Sequence, residues 1–267
     1  IKAILMGIVE GITEWLPISS TGHMIILDEL VKLNVSDAFR EMFLVVIQLG
    51  AILAVVVLYF KKLWPFSTKE KFFIKKDTFG MWFKILAACI PAAIVGVFFD
   101  DKINELFYNY QTVAAMLIIF GVLFIVIENY NKGRKPVMNS IAEITWKAAI
   151  GVGLFQLIAA VFPGTSRSGA TILGGILLGM SRTTAAEFTF FLAVPVMAGA
   201  SLLKLVKFGL AFSASEAVIL IVGMVVAFVV SIIVIKFLLN YIRRNDFKAF
   251  GWYRIVLGVL VILFFSL

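Results

Sequence analysis

Charge is scarce in this chain: Asp, Glu, Lys and Arg together make up 15% of its 267 residues, while 62% are hydrophobic. Soluble globular domains carry nearer a quarter charged residues, so a water-soluble fold is excluded and an integral membrane protein is expected. Histidine and cysteine occur once each, as His23 and Cys89. A single cysteine rules out a disulfide framework and a cysteine metal site, and Cys89, inside "KILAACIPAAIVGVFF", reads as a small buried thiol. The apolar runs recur along the whole length, so a cleaved signal peptide does not account for them. The first residue is Ile1 rather than Met, which leads us to expect the native start upstream. The net charge of +8 could suggest nucleic acid. The basic residues, however, gather in short loops between apolar runs, which is how membrane topology is encoded, and a nucleic-acid partner is excluded.

About 20 helical residues cross a bilayer. Six stretches qualify, at roughly 42–60, 82–100, 112–130, 185–207, 215–240 and 250–267. Loop 61–79 holds Lys61, Lys62, Lys69, Lys71, Lys75 and Lys76 against Glu70 and Asp77. Loop 131–147 holds Lys132, Arg134, Lys135 and Lys147, and 241–249 holds Arg243, Arg244 and Lys248, whereas "DDKINELFYNYQ" at 100–111 is acidic and 208–216 nearly uncharged. The positive-inside bias makes the three basic loops cytoplasmic.

Two further apolar regions, 1–33 and 144–182, are interrupted by "PISSTG" and "PGTSRSG". The loop alternation closes only if each enters and leaves on one side, as a re-entrant helical hairpin, the first from outside and the second from the cytoplasm. Placing Pro17 on Pro163 sets Gly7 on Gly153, Glu10 on Gln156, Ser20 on Ser166 and Glu41 on Glu187; Glu14 then faces Ala160, and Thr21 faces Arg167. The expected fold is therefore all-α, one polytopic membrane domain over 1–267, with inverted-topology repeat halves at approximately 1–130 and 144–267. Broken segments at matching positions of such halves point to a site near the midplane.

Glu10 and Glu14 are one helical turn apart on one face. A carboxylate at the centre of a membrane helix costs about 2.5–3.5 kcal/mol on insertion scales, and Lys2 is the only cation in the first 30 residues. A site that binds a cation or shares a proton offsets that cost. Pro17 stops the first helix, and Ser19, Ser20 and Thr21 offer hydroxyls that cap the next, from about 20 to 32, or act on a ligand. In the second motif, Gly164 permits close backbone approach, the free amides that follow favour an anion, and the planar fork of Arg167 suits phosphate oxygens or a plain pair with Glu14. His23 lies three residues after Ser20 on the same helical face. Together these pieces read as carboxylates, a cationic fork and helix dipoles converging on a phosphate group, with a divalent cation letting the anions coexist.

At "EGITEWLPISSTGH" and "PGTSRSGAT" the sequence resembles the undecaprenyl pyrophosphate phosphatase family, the bacterial bacitracin-resistance membrane phosphatases. The resemblance implies hydrolysis of undecaprenyl diphosphate to the monophosphate carrier lipid of peptidoglycan synthesis, bacitracin resistance, a divalent cation (Mg2+ or Ca2+), and a multi-pass protein of the bacterial plasma (inner) membrane whose active site faces the extracytoplasmic side. It implies Glu14, Ser20, His23 and Arg167 as catalytic residues and Glu10 with Glu14 as metal ligands. The substrate-binding set is then Glu10, Ser19, Thr21, Gly164, Thr165, Ser166, Ser168 and Thr171. Either Ser20 or His23 attacks phosphorus, with His23 or Glu14 taking the proton from Ser20. Expected partners are undecaprenyl diphosphate, other prenyl diphosphates and the lipid bilayer, with a homodimer left open. A second lipid phosphatase family needs two histidines and is excluded by the single His23. The alternative in another class is a lipid or small-anion transporter or flippase, since inverted repeats with broken helices are its usual signature.

Overall fold

The computed structural model describes residues 1–31, 33–68, 73–209 and 212–266. Lys69, Glu70 and Lys71 of the first basic loop, part of the uncharged loop 208–216, and the final residue of the last apolar stretch lie outside the described residues. Twelve α-helices and one 3-10 turn are found among the described residues. In chain order they are α1 (Lys2–Thr13), α2 (Ser20–Leu30), α3 (Asp37–Val46), α4 (Gln48–Leu58), α5 (Phe60–Leu63), α6 (Lys76–Phe107), α7 (Tyr110–Tyr130), α8 (Trp146–Val161), α9 (Arg167–Leu177), α10 (Arg182–Phe208), α11 (Ala214–Ile242) and α12 (Lys248–Ser266). Six segments are long and apolar enough to cross a membrane, Asp37–Leu58, Lys76–Phe99, Tyr110–Tyr130, Arg182–Phe208, Ala214–Ile242 and Lys248–Ser266, matching the six expected from hydropathy. Cys89 is free and half-buried in α6.

Several helices meet their neighbours at glycines such as Gly7, Gly50, Gly121, Gly153 and Gly251, because between membrane helices close backbone approach supplies the attraction that water would otherwise drive. α1 packs on α11, α8 on α6, α4 on both α10 and α11, and α7 on α12. At Gly50 of α4 a Cβ would stand 2.1 Å from the Met224 carbonyl of α11, so only glycine permits that contact. The first span is not one straight helix: it breaks at Ile47, between α3 and α4.

The basic loops collect at one end of the bundle. Lys62 pairs with Glu187 at 3.0 Å, Lys84 donates to the Ile144 carbonyl at 2.6 Å, and Ser181 N–H donates to the Met138 carbonyl at 2.8 Å. At the same end the carboxylate of Glu128, fully buried at the foot of α7, accepts from Arg182 Nε at 2.9 Å, from Arg182 Nη2, and from the Phe247 backbone N–H at 3.0 Å. One anion thereby joins α7, α10 and the loop before α12. The opposite end carries Asp28 paired with Arg40 at 3.5 Å and Lys207 paired with Asp101 at 3.7 Å.

Glu128→Ala removes the shared acceptor of Arg182 and Phe247 and should cost about 2–3 kcal/mol, the range for losing charge-assisted hydrogen bonds. A lower midpoint in thermal unfolding of the purified protein in detergent, with far-UV helicity retained before the transition, is the expected result.

Candidate active site

α1 and α8 both end at a proline-containing break, and α2 and α9 both restart from a serine N-cap with positive φ. Ser19 has φ 75° and ψ 104°, and Ser166 has φ 68° and ψ 116°. A non-glycine residue in this region costs on the order of 1–3 kcal/mol, and such strain concentrates at functional sites. Each serine offsets part of that cost by capping: Ser19 Oγ accepts from Gly22 N–H at 3.2 Å, and Ser166 Oγ from Gly169 N–H at 3.1 Å. The caps shift the register by one from the proline alignment. Ser19, not Ser20, stands where Ser166 stands, so Arg167 corresponds to Ser20 rather than to Thr21. The frame slipped because the chain between proline and cap is one residue shorter in the first break than in the second.

Ser20 and Arg167 are therefore the first residues of the two restarted helices, and both reach the same carboxylate. Ser20 Oγ donates to Glu14 Oε2 at 2.9 Å, and Arg167 Nη2 donates to Glu14 Oε1 at 2.8 Å. Arg167 also donates through Nη1 to the Thr189 carbonyl at 3.3 Å and lies over the Trp15 ring, 6.0 Å from its centroid. Glu14 is buried, and its side chain and that of Arg167 are only 8% and 14% exposed, so the pair is little screened. A hydroxyl bonded to a carboxylate is arranged to lose its proton as it attacks an electrophile.

A cavity of about 180 Å³ opens on this group. Its polar wall is Glu14, Ser20, Thr21, Gln48, Ser166 and Arg167, its backbone wall Pro163 and Gly164, and its apolar wall Ala159, Val196, Met197 and Ala200. A single water needs about 10–15 Å³ on this measure, so there is room for a phosphoryl group and its surroundings. Gly164, at φ 90°, passes so close to α7 that a Cβ would stand 2.5 Å from the Val113 carbonyl.

The remaining residues marked by the motifs lie around this cavity rather than in its wall. Ser19 is fully buried as the cap just described. Thr171 Oγ1 donates to the Arg167 carbonyl at 2.9 Å and accepts from Thr189 Oγ1 at 2.8 Å, while Ser168 Oγ contacts Ser166 Oγ at 3.1 Å; both hold the start of α9 in shape. Thr165 is fully buried and its Oγ1 has no partner in the structure. Glu10 is buried one turn before Glu14, and its Oε1 is likewise without a partner. No group of three His, Cys, Asp or Glu side chains capable of holding a metal occurs among the described residues. The pair Glu10 and Glu14 nevertheless suits a hard cation that takes one or two carboxylates and completes its shell with phosphate oxygens and water, and the partnerless Glu10 oxygen is consistent with such a ligand.

His23 is turned to another neighbour. Its Nδ1 is 2.7 Å from the Ser19 carbonyl, which can only accept, so Nδ1 carries the proton. Its Nε2, 2.7 Å from Tyr253 Oη, then accepts from that hydroxyl in the neutral ring. The two rings stack with centroids 5.6 Å apart.

Sequence reasoning passed over Gln48, Tyr253 and Arg254. The guanidinium of Arg254, fully buried on α12, donates to the carbonyls of Pro17 (3.3 Å), Gly164 (3.0 Å), Thr165 (2.7 Å) and Met116 (3.4 Å). One side chain thus ties the first break to the second. An arginine inside an apolar span was itself the available signal, since such a charge is retained only with strong partners.

Arg254→Met leaves at least three buried carbonyls without donors, and an unfolding cost of about 3 kcal/mol or more is expected in detergent melts. Gly164→Ala meets α7 backbone as well as a disallowed φ, so activity should fall at least tenfold, the scale for misplacing catalytic groups by about an ångström. Wild-type turnover in that variant would show that the approach to Val113 is not required.

Compared with known proteins, residues 3–260 match the family described as bacitracin resistance protein BacA. Undecaprenyl-diphosphatase of Desulfitobacterium hafniense is 69% identical over 265 residues, covering 99% of this chain and 95% of that protein. Undecaprenyl-diphosphatase 1 of Clostridium acetobutylicum is 66% identical over 99% of this chain and 97% of its own length, and undecaprenyl-diphosphatase of Enterococcus faecalis is 59% identical over 98% and 96%. A full-length match of this kind, on a chain whose two broken helices meet at one carboxylate, makes the protein a member of the BacA family.

Proposed function

We propose that this chain is an undecaprenyl-diphosphate phosphatase of the bacterial plasma membrane, releasing inorganic phosphate and returning the monophosphate carrier lipid to cell-wall synthesis, with bacitracin resistance as the consequence. The observation that carries the mechanism is Glu14 held between Ser20 Oγ and Arg167 Nη2. Ser20 Oγ attacks the terminal phosphorus while its proton passes to Glu14. The bond from that phosphorus to the bridging oxygen breaks, its electron pair leaves with undecaprenyl phosphate, and water then hydrolyses the phosphoserine. Arg167 and the amides that open α2 and α9 stabilise the charge of the transferring group, the larger part of phosphoryl-transfer catalysis.

Ser20 is favoured over His23 as nucleophile because Ser20 lines the cavity, whereas both His23 nitrogens are engaged away from it. His23 orients the start of α2 through the Ser19 carbonyl. Glu10 and Glu14 would hold Mg2+ or Ca2+, which when bound supplies positive charge to the phosphate oxygens. Thr21, Gly164 and Ser166 line the phosphate position, with the prenyl chain, of undecaprenyl or another prenyl diphosphate, along Ala159, Val196, Met197 and Ala200.

The site opens to the extracytoplasmic side, and the broken helix pairs are re-entrant hairpins of inverted halves. Three observations support this: the matching strained caps, the packing of α1 on α11 as α8 packs on α6, and the position of the cavity on α10, well beyond its basic-end start at Arg182. A homodimer is compatible with this arrangement and is not required by it.

Purified protein in detergent should release phosphate from undecaprenyl diphosphate, which a flippase without a membrane to cross would not do. Ser20→Ala and Glu14→Gln should each lower the rate at least a hundredfold, and rapid quench with labelled lipid should place label on Ser20. Label on His23, or on neither residue, would overturn the serine mechanism. Excess EDTA should abolish turnover; unchanged rates would remove the cation.

A further inference from the structure

A second and larger cavity, of about 600 Å³, lies at the basic end of the bundle, apart from the catalytic one. Both abut α10, but this cavity touches it at Thr183, Thr184, Glu187 and Phe191, and the catalytic cavity at Val196, Met197 and Ala200. The nearest of these positions, Phe191 and Val196, are roughly 7–8 Å apart along the helix axis. Beside them the buried rings of Trp15, Phe190, Phe191 and Tyr59 pack edge to face, with Trp15 to Phe190 at 5.3 Å and Tyr59 to Phe191 at 5.1 Å.

The chemistry of this cavity favours an anion. Lys62, Lys76 and Lys84 line it against Asp77 and Glu187. Lys62 already neutralises Glu187, and Lys84 spends one N–H on the Ile144 carbonyl, leaving two for a ligand. Two helices begin here. The first turn of α6, through Lys76, Asp77 and Thr78, and that of α10, through Thr183 and Thr184, both face the cavity and bring the positive ends of their dipoles to it. The N-cap of α6, Lys75, has no capping side chain, so the amides of that turn are unclaimed by a local oxygen.

A buried polar group lies beside this wall. The hydroxyl of Tyr59, a residue 9% exposed, is buried without a partner. Its ring lies 5.4 Å below Lys62 Nζ and touches Phe191, two residues of the cavity wall.

The surroundings of the cavity argue for a lipid rather than a soluble ion. Around the same end Phe60, Trp64, Phe66, Phe73, Phe83 and Trp146 are all about half or more exposed, the aromatic girdle that marks the headgroup level of a bilayer. Basic pockets between helices at the cytoplasmic surface suit lipid phosphate groups.

We propose that this cavity is a second binding site, for the phosphate of an anionic lipid headgroup in the leaflet on the basic face, held by Lys76, Lys84 and the open first turn of α6. It is independent of the catalytic assignment.

The test is thermal unfolding of the purified protein in a neutral detergent, titrated with lyso-phosphatidylglycerol, lyso-phosphatidylcholine or inorganic phosphate. Lyso-phosphatidylglycerol should raise Tm saturably. In Lys76→Gln/Lys84→Gln its apparent affinity should fall about tenfold or more, the loss expected on removing two charge-assisted contacts, while phosphate release from undecaprenyl diphosphate stays within about twofold. Lys76→Gln alone, at an exposed position, serves if the double variant unfolds early, with an affinity loss of about half that free energy. An equal shift with lyso-phosphatidylcholine, or an unchanged affinity in the lysine variants, would overturn the proposal. So would inorganic phosphate that shifts Tm equally and displaces the lipid at comparable concentration, since the cavity would then be a free-anion site.

Discussion

A carboxylate in an apolar interior must find compensation or not be there, and the arrangement around Glu14 answers that demand. Its two oxygens are shared between a hydroxyl and a guanidinium that begin two different helices. Neither partner could reach it from an unbroken span. The interruption of both helices and the serine caps that restart them bring Ser20 and Arg167 to one point. Burial makes the arrangement strong, because little water screens the pair.

Holding two breaks in register is a separate problem, and it falls to α12. Broken helices leave carbonyls with no intrahelical partner, and within a bilayer those groups must be satisfied by protein. Arg254 satisfies carbonyls from both breaks at once, while Tyr253, its neighbour in sequence, holds His23. Two adjacent residues near the end of the chain thus position groups taken from its beginning and its middle.

The two ends of the bundle divide the electrostatic work. The basic end is joined by Glu128 and by the pair of Lys62 with Glu187, and it holds the larger cavity; the other end is held by the pairs of Asp28 with Arg40 and Asp101 with Lys207. α10 runs between them and borders both cavities, with the packed rings of Trp15, Phe190, Phe191 and Tyr59 beside it.

Sequence alone determined the class of the fold and marked the residues of the candidate site. Spans of about 20 apolar residues are a local property that the bilayer thickness dictates, so all six were legible, and Glu10, Glu14, Ser20 and Arg167 stood out because charge and hydroxyls inside apolar runs demand compensation. Only the tertiary structure decided which of the marked groups meet: that Glu14 sits between Ser20 and Arg167, that His23 turns to Tyr253, that Thr171 and Ser168 shape α9 from behind, and that Arg254 joins the breaks. These are contacts between residues up to 237 positions apart. The two serine caps stand one residue off the proline alignment for the same reason: a proline marks where a helix stops, but the backbone between proline and cap sets which serine starts the next.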